Sequence, residues 1–185
     1  MTRGLTTEDY VIRVHRDPAA LDSRRWNALL EAQAAPTPFM RHEYLLALHA
    51  SGSAVPDAGW APQFVTLEAG GQWQAACALY LKSHSYGEYV FDWAWADAYR
   101  RHGLRYYPKL LAAVPFTPVP GTRLLARDAA ARRALLKALG DKAAGSGCSS
   151  AHVLFIDDEE RSEFDRAGWM LREGVQFHWT QDPQQ

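Results

Sequence analysis

The sequence has little cysteine, and this scarcity argues against a metal site. Among 185 residues there are two cysteines, Cys77 and Cys148, and neither belongs to a Cys-x-x-Cys or Cys/His spacing. Zinc sites in proteins depend on such spacings, so no metal ligands are assigned. We expect two reduced thiols, with a disulfide between them as the alternative.

An excess of positive charge is also lacking. The chain carries 20 Lys and Arg against 21 Asp and Glu, for a formal net charge of −1. Proteins that hold nucleic acid usually present a basic stripe that neutralises phosphates. The strongest basic pairs, Arg100-Arg101 and Arg132-Arg133, are typical of solvated helix faces. We therefore predict no nucleic acid partner.

Long apolar runs are absent as well. Residues 110–116 form an apolar stretch of seven residues, whereas a transmembrane helix needs about 20. Residues 1–4 lead into polar sequence without the apolar region of a secretory signal. The sequence thus predicts no membrane span and a cytoplasmic location.

What remains is a composition typical of a folded domain. The chain is 48% hydrophobic and 22% charged, which favours one domain over residues 1–180 and a disordered polar tail over 181–185. Aromatic residues reach 12%, with seven tryptophans. A core of this size needs fewer, so we expect some of them to line a cleft or an interface.

Hydrophobic periodicity and capping residues predict an alternation of strands and helices. Helices are predicted over 18–34 after an Asp17 cap, over 40–50, before Gly103, after an Asp128 cap, and from Asp157 to Gly168. Strands are predicted at 11–14, 63–67, 73–81, 110–116, 151–156, 169–172 and 175–180. The turn at 69–72 joins the second and third strands as a hairpin, with glycines where φ must be positive. This order predicts an α+β fold with a mixed, mainly antiparallel sheet flanked by helices.

Four segments have sequence motifs that are specific enough to resemble a known protein family. Residues 81–96, Leu-Lys-Ser-His-Ser-Tyr-Gly-Glu-Tyr-Val-Phe-Asp-Trp-Ala-Trp-Ala, resemble the signature of the bacterial FemAB-like, peptidoglycan biosynthesis family of GNAT acyltransferases. Residues 105–110, 114–119 and 174–179 also resemble that family. The resemblance covers residues 37–180 and implies a GNAT-like fold.

The resemblance also carries implications for function. Members of the family have two GNAT-like halves, so this chain is expected to correspond to the N-terminal half. The resemblance implies acyl or aminoacyl transfer to an amine, with acyl-CoA as a candidate donor in the parent enzyme. It further implies pairing with a second GNAT-like half or with another copy of the chain.

The turn expected to bind coenzyme A is poorly equipped for that role. A GNAT donor site holds a pyrophosphate on the backbone N–H groups of a glycine-rich turn. The corresponding residues here are Gly121, Thr122 and Arg123, with prolines nearby and Asp128 adding negative charge. These three residues are the cofactor-binding candidates, and a purely structural turn is the favoured alternative.

Ionisable and aromatic side chains are dense between residues 82 and 92, and this density suggests a catalytic loop. Amide formation needs a base that deprotonates the amine and an acid that protonates the leaving group. We take His84, Glu88 and Asp92 as candidate bases and Tyr107 as the candidate acid.

A structural interpretation of the same residues stays open. His84 and Glu88 would then hydrogen-bond to the loop backbone, and Asp92 would cap a turn before Trp93. Tyr86 and Tyr106 are alternative acids.

Six residues are candidates for binding substrate: Lys82, Tyr86, Trp93, Arg105, Lys109 and His178. The positive charges of Lys82, Arg105 and Lys109 would suit a carboxylated or phosphorylated cell-wall precursor. Surface solvation of these cations is the alternative, and for His178 it is a satisfied histidine at a sheet edge.

Three functions are compatible with the sequence. In the first, the chain contributes the acceptor-binding groove of an N-acyltransferase that acts on a small molecule or cell-wall precursor. In the second, it is a non-catalytic recognition or assembly domain with the GNAT shape. The third, an aminoacyl-tRNA-dependent transferase, is disfavoured because the chain lacks a basic face.

Overall fold

The computed structural model describes residues 10–90, 92–177 and 179. Five α-helices and eight strands occur there in the order β1 Val11–His15, α1 Ser23–Glu31, α2 His42–Ala50, β2 Trp60–Pro62, β3 Phe64–Ala69, β4 Gln72–Cys77, β5 Leu79–Lys82, α3 Trp93–Arg101, β6 Lys109–Ala112, β7 Leu124–Ala126, α4 Ala129–Gly145, β8 Ala151–Val153 and α5 Asp158–Arg166. Residues 1–9 and 181–185 lie outside the described part, so the predicted domain over 1–180 and the predicted tail stay predictions.

The first predicted helix is interrupted. Asp17 does accept a hydrogen bond from the Ala19 N–H, but the structure that follows is a single 3-10 turn over Pro18–Ala20. A second aspartate, Asp22, then caps α1 by accepting from the Arg25 N–H. The predicted helix over 18–34 is therefore wrong at both ends, because two successive caps restart the chain.

The predicted hairpin contributes strands to both sheets of the fold and is longer than the sequence indicated. Gly70 and Gly71 make its turn with φ of +58° and +74°, the left-handed conformation that glycine adopts without strain. Each arm is divided into two strands, and the Gln63 N–H donates to the Leu79 carbonyl at 2.8 Å across the division. The hairpin therefore continues from one four-stranded sheet, β1-β3-β4-β7, into the other, β2-β5-β6-β8.

Strands β6 and β7 extend the sheets beside the hairpin. β6 pairs with β5 and β7 pairs with β4, both antiparallel, so the two strands follow one line interrupted by residues 113–123. The predicted strand over 110–116 is thus shorter, and Phe116 adopts a φ of +57° after it has left the sheet. β8 is parallel to β6, ends the sheet order and is shorter than the predicted strand over 151–156.

Helices cover both faces of the sheets. On one face Trp26, Leu29 and Leu45 of α1 and α2 pack with Phe64 and Tyr80. On the other, side chains of α4 and α5 pack on the strands; they include Leu135, Leu139 and Phe164, against Leu67 and Cys77. Both faces of the second arm of the hairpin are buried from Ala75 to Tyr80. This arrangement confirms the predicted α+β class, mixed and mainly antiparallel with flanking helices, and is consistent with a GNAT-like fold.

The two predicted C-terminal strands do not form within the described residues. The chain after α5 has no strand over 169–177, and Val175 and Phe177 are almost fully exposed. Alternation of apolar residues predicted these strands, but no neighbouring strand pairs with the segment. In the part of the chain that the structure describes, no helix has the length and apolar character needed to span a bilayer.

Candidate functional site

The loop over residues 83–92, between β5 and α3, lies at the ends of two paired strands. Lys82, the last residue of β5, is the cross-strand partner of Lys109, the first residue of β6. Directly opposed residues point to the same face of a sheet. Both lysines are buried, with 0% and 1% of their surface exposed. The fold therefore places two ammonium groups in the interior beneath the loop.

Lys109 is the centre of a buried ionic cluster. Its Nζ lies 2.5 Å from Asp92 Oδ2, 2.8 Å from Glu88 Oε2 and 3.0 Å from Ser85 Oγ. The side chains of Lys109 and Glu88 are each 1% exposed. Glu88 Oε1 and Asp92 Oδ1 are buried without a partner among the described residues. Glu88, Asp92 and Lys109 are thus brought together, and the loop is attached to the sheet by three charges.

A chain of hydroxyl groups leads outward from this cluster. The hydroxyls of Ser85 and Tyr106 each donate to Asp92 Oδ2 at 2.8 Å. Ser85 Oγ also lies 2.7 Å from the Tyr107 hydroxyl. Because the single proton of Ser85 goes to Asp92, Tyr107 donates to Ser85. Ser85 was not among the residues predicted from the sequence, because the contacts that make it important reach Lys109 and Tyr107 across the fold.

The two carboxyl groups of the cluster have different proton affinities. Burial raises the pKa of Glu88, and the hydrogen bond and charge of Lys109 only partly oppose that rise. Burial acts in the same direction on Asp92, but hydrogen bonds from Lys109 and Ser85 outweigh it and hold the pKa below its usual range. Asp92 is therefore the ionised partner of Lys109, and its side chain makes no capping bond to α3.

Lys82 has an unusual environment for a cation. Its Nζ lies 3.5 Å from the centre of the Trp60 ring and donates to the Tyr86 carbonyl at 3.2 Å. Burial lowers the pKa of Lys82 to about 7, although the negative charge of Glu88 opposes this change. The side chain fixes the loop by contacting both the indole ring and the loop backbone.

His84 is half-buried at the edge of the loop and makes no hydrogen bond or ion pair with the Lys109 cluster among the described residues. The Tyr86 N–H donates to His84 Nδ1 at 3.2 Å, so the proton of the neutral ring lies on Nε2. Burial, and then the charge of Lys82, lower the pKa of His84. The ring packs against Gly59, where an added Cβ would lie 2.2 Å from Nε2. The basic nitrogen of His84 is thus engaged by the loop, and its role as a base stays a prediction.

A surface hollow of about 460 Å³ lies beside the hydroxyl chain. Its lining includes Arg100, Arg105, Tyr106 and Tyr107, together with Asp97. Burial raises the pKa of Tyr107, a phenol that is protonated near neutral pH even at its ordinary pKa. Arg105 is exposed and makes no ion pair among the described residues. The hollow therefore offers a cation and a phenol to a ligand.

The remaining substrate-binding candidates occupy different places. Tyr86 and Trp93 are exposed, and their ring centres lie 5.8 Å apart in an edge-to-face arrangement. Lys82 and Lys109 are buried and face the interior. His178 lies outside the described residues.

The donor groups of the turn at residues 121–123 are engaged within the chain. The Arg123 guanidinium is buried and donates to the carbonyls of Val119, Gly121 and Leu154. The Gly121 N–H donates to the Phe155 carbonyl, the Thr122 hydroxyl donates to Asp157, and the Arg123 and Leu124 N–H groups donate to Glu160. A pyrophosphate would have to displace these bonds. Cofactor binding by Gly121, Thr122 and Arg123 stays a prediction, and the contacts favour the structural turn.

Comparison with known proteins gives one match. The profile of the FemAB-like family, described as peptidoglycan biosynthesis/recognition, matches residues 18–185. No curated protein matches the chain, and neither does any solved structure. The family match covers most of the sequence and includes the loop, the Lys109 cluster and the hollow. On this basis the chain belongs to the FemAB-like family of peptidoglycan biosynthesis/recognition proteins.

Proposed function

We propose that this chain supplies the acceptor-binding groove of an N-acyltransferase that acts on a peptidoglycan precursor, and that it corresponds to one GNAT-like half of that enzyme. Membership of the family supports a peptidoglycan-related transferase or recognition role. The observation that carries the proposal is the position of Tyr107, which lines the hollow and donates to Ser85 of the buried network.

Tyr107 would act as the acid in this proposal. When an amine attacks an acyl thioester, the carbon–nitrogen bond forms as the carbon–sulfur bond breaks, and the leaving thiolate needs a proton. The Tyr107 phenol carries its proton near neutral pH and can transfer it to the thiolate as the thiolate forms. The proton lost by the amine then restores the phenol. Ser85 and Asp92 hold the ring in place through their hydrogen bonds.

The acceptor would be held as an anion. Arg105 lines the hollow without an ion pair of its own, so its guanidinium is available to a carboxylate or phosphate. Arg100 is less available because Asp97 lies 2.5 Å from it. Peptide stems of peptidoglycan carry both carboxylates and a free amine, and a soluble muramyl peptide is therefore the probe of choice.

A recognition domain without catalysis is the second candidate. The observation that favours it is the engagement of the turn at residues 121–123, whose donors bind the chain itself. In that case the hollow would bind a peptidoglycan precursor and no acyl donor.

The test is a titration of the purified chain with a muramyl peptide that carries a free amine, and separately with acetyl-CoA, followed by calorimetry. We expect the muramyl peptide to bind, and Arg105→Gln to weaken binding about tenfold, the loss of one charge-assisted contact. Arg161→Gln, on the exposed side of α5, is the matched control and should leave binding unchanged.

The outcomes separate the candidates. Binding of acetyl-CoA and acylation of the muramyl peptide, with acylation lost in Tyr107→Phe, would support the transferase. Muramyl peptide binding without acetyl-CoA binding would support recognition and reject donor binding by this chain. If neither ligand binds, both functions are rejected for the chain.

A further inference from the structure

The loop over residues 83–92 and the start of α3 place polar side chains inside and aromatic side chains outside. Ser85, Glu88 and Asp92 are buried. The aromatic residue that directly follows each of them is exposed: Tyr86 by 65%, Tyr89 by 57% and Trp93 by 54%. Burying charges and exposing aromatic rings both oppose folding. The buried ions compensate one another through Lys109, whereas Tyr86, Tyr89 and Trp93 each leave more than half of their surface exposed.

The exposed rings belong to a larger apolar surface. We define the aromatic surface by six exposed residues: Tyr86, Tyr89, Val90, Trp93, Trp95 and Leu104. Helix α3 runs through it and has no buried residue. Tyr86 and Trp93 contact each other edge to face, and the other four residues lie on the same loop, on α3 or directly after it. Large groups of exposed apolar side chains in a folded protein mark places of interaction.

Positive charge accompanies the aromatic surface. Arg100, Arg101 and Arg105 are exposed at the C-terminal end of α3 and just after it, and the Arg172 guanidinium lies 5.5 Å from the centre of the Trp95 ring. Asp97 is the acidic residue on α3, where it pairs with Arg100 and Arg101. Glu88 and Asp92 are buried and face Lys109. The charge presented around the aromatic surface is therefore positive.

We propose that the aromatic surface docks on a lipid bilayer that contains anionic lipids. Tyrosine and tryptophan rings with polar tips are the side chains that prefer the boundary between headgroups and acyl chains. Arginines at the rim match the phosphates of anionic headgroups, each contributing a favourable interaction close to the surface. The Lys109 cluster and the Lys82–Tyr86 contact hold the loop in place, so the rings are already positioned before binding. The inference does not depend on the proposed transferase or recognition function.

The complementary charge decides between a bilayer and a protein partner. Arginine and aromatic residues also occur in protein interfaces. The basic end of α3 adjoins the rings, an arrangement typical of segments that lie in the plane of a membrane surface. We therefore take the bilayer as the occupant and treat association with a protein as an outcome of the test.

The experiment is flotation of the whole chain with vesicles of phosphatidylcholine alone and of phosphatidylcholine mixed with phosphatidylglycerol. We expect flotation with the mixed vesicles and less at high salt, because salt screens the arginines. Trp95→Ser and Tyr89→Ser should each weaken partitioning about tenfold, since each removes a large apolar side chain from the boundary. Ile12→Ser on β1, which also removes an exposed apolar side chain, is the matched control and should not change partitioning.

Several results would overturn the inference. Failure of the chain to float with the mixed vesicles is one such result, and a reduction of flotation by Ile12→Ser as large as that by Trp95→Ser is another. Sedimentation of a wild-type dimer that Trp95→Ser dissociates would assign the surface to a protein interface instead. Amide spectra of each variant establish that it is folded. The muramyl peptide titration contains no vesicles, and the flotation contains no muramyl peptide. Each experiment therefore tests one proposal independently of the other.

Discussion

At the scale of single residues, we expect substitution of Lys109 to have a large effect on the free energy of unfolding. Its ammonium group lies between the buried carboxyl groups of Glu88 and Asp92 and is the ion-pair partner of the ionised Asp92. An ion pair of this kind adds little net stability compared with apolar residues of the same volume. Removing only one partner of the ion pair is strongly destabilising, because the charge of the other partner is left uncompensated in the interior.

We expect Lys109→Met to lower the free energy of unfolding by about 3–5 kcal/mol, the usual effect of removing one partner from a buried ion pair. Urea unfolding measures the change. Lys137→Met removes an exposed lysine paired with Asp141 and should change the free energy by less than about 1 kcal/mol.

The compensating variant sharpens this prediction. Adding Glu88→Gln and Asp92→Asn to Lys109→Met removes the uncompensated charge and should recover part of the loss. Equal stability of Lys109→Met and Lys137→Met would show that the cluster is not buried as described.

Gly59 is the second residue whose identity matters, because the His84 ring packs directly on it. Gly59→Ala introduces a Cβ within 2.2 Å of the ring at a backbone φ of +75°. Gly52→Ala has nearly the same φ, +78°, with nothing within 4 Å, and isolates the backbone strain. We expect Gly59→Ala to be the more destabilising by urea unfolding and to shift the His84 imidazole signals in NMR. Equal effects of the two variants would mean that the ring moves away freely.

At the scale of elements, two helix caps differ in their contacts: one bonds only to its own helix, and the other also bonds to a residue from another part of the fold. Asp128 accepts from the Ala131 N–H and caps α4 alone. Asp157 caps α5 through the Glu160 N–H and also accepts from the Thr122 hydroxyl. The second cap therefore attaches α5 to the turn that precedes β7.

We expect Asp128→Ala to lower the free energy of unfolding by about 1 kcal/mol, the usual value for a lost N-cap. Asp157→Ala should lower it further, because the Thr122 hydroxyl loses its acceptor as well. Thr122→Val combined with Asp157→Ala should then cost little more than Asp157→Ala alone. Additive losses in the double variant would contradict the shared hydrogen bond.

Caps and turns are also what the sequence predicted well. Asp128, Asp157 and the Gly70-Gly71 turn act over a few residues, so their effects are visible locally, and the helices and hairpin that depend on them are confirmed. The predicted helix over 18–34 was wrong because Asp22 restarts the chain after one 3-10 turn. The strands predicted after α5 failed for another reason, since alternation does not supply a neighbouring strand to pair with.

For the candidate site, too, the sequence predicted features that are local in the chain and did not predict contacts between distant residues. The density of ionisable residues indicated that His84, Glu88 and Asp92 would share one loop, but it did not indicate that Lys109 would join Glu88 and Asp92. The register that opposes Lys82 to Lys109 depends on pairing between strands distant in sequence, and no local pattern reveals it. Ser85 was missed for the same reason, because its importance comes from the residues it contacts across the fold.

At the scale of the whole molecule, the buried lysine at the end of β5 links global stability to pH. Burial lowers the pKa of Lys82 from 10.5 in the unfolded chain to about 7 in the folded protein. Between these values the unfolded chain binds the proton and the folded protein releases it. Stability therefore increases with pH across this window, and it falls as the pH is lowered towards 7.

We expect the free energy of unfolding of the wild type, relative to Lys82→Met, to rise by about 2 kcal/mol from about pH 7 to pH 9. Urea unfolding of both proteins at the two pH values measures the difference. Lys137→Met, which removes an exposed lysine, should show no such rise relative to the wild type. A flat or falling difference for Lys82→Met would contradict burial of the ammonium group.

The hairpin over residues 60–82 has a consequence for how the chain folds. Its arms are adjacent in sequence, and hairpins close within about 1–10 μs, whereas β1, β6 and β7 must find their partners across longer loops. We expect pulse-labelling of amides to show protection of Leu67 and Ala75 before Leu111 and Leu125, and the reverse order would refute a hairpin template. Since both sheets are built on this one template, a slip at Gly70-Gly71 would misalign the core and the Lys82–Lys109 pairing in a single event.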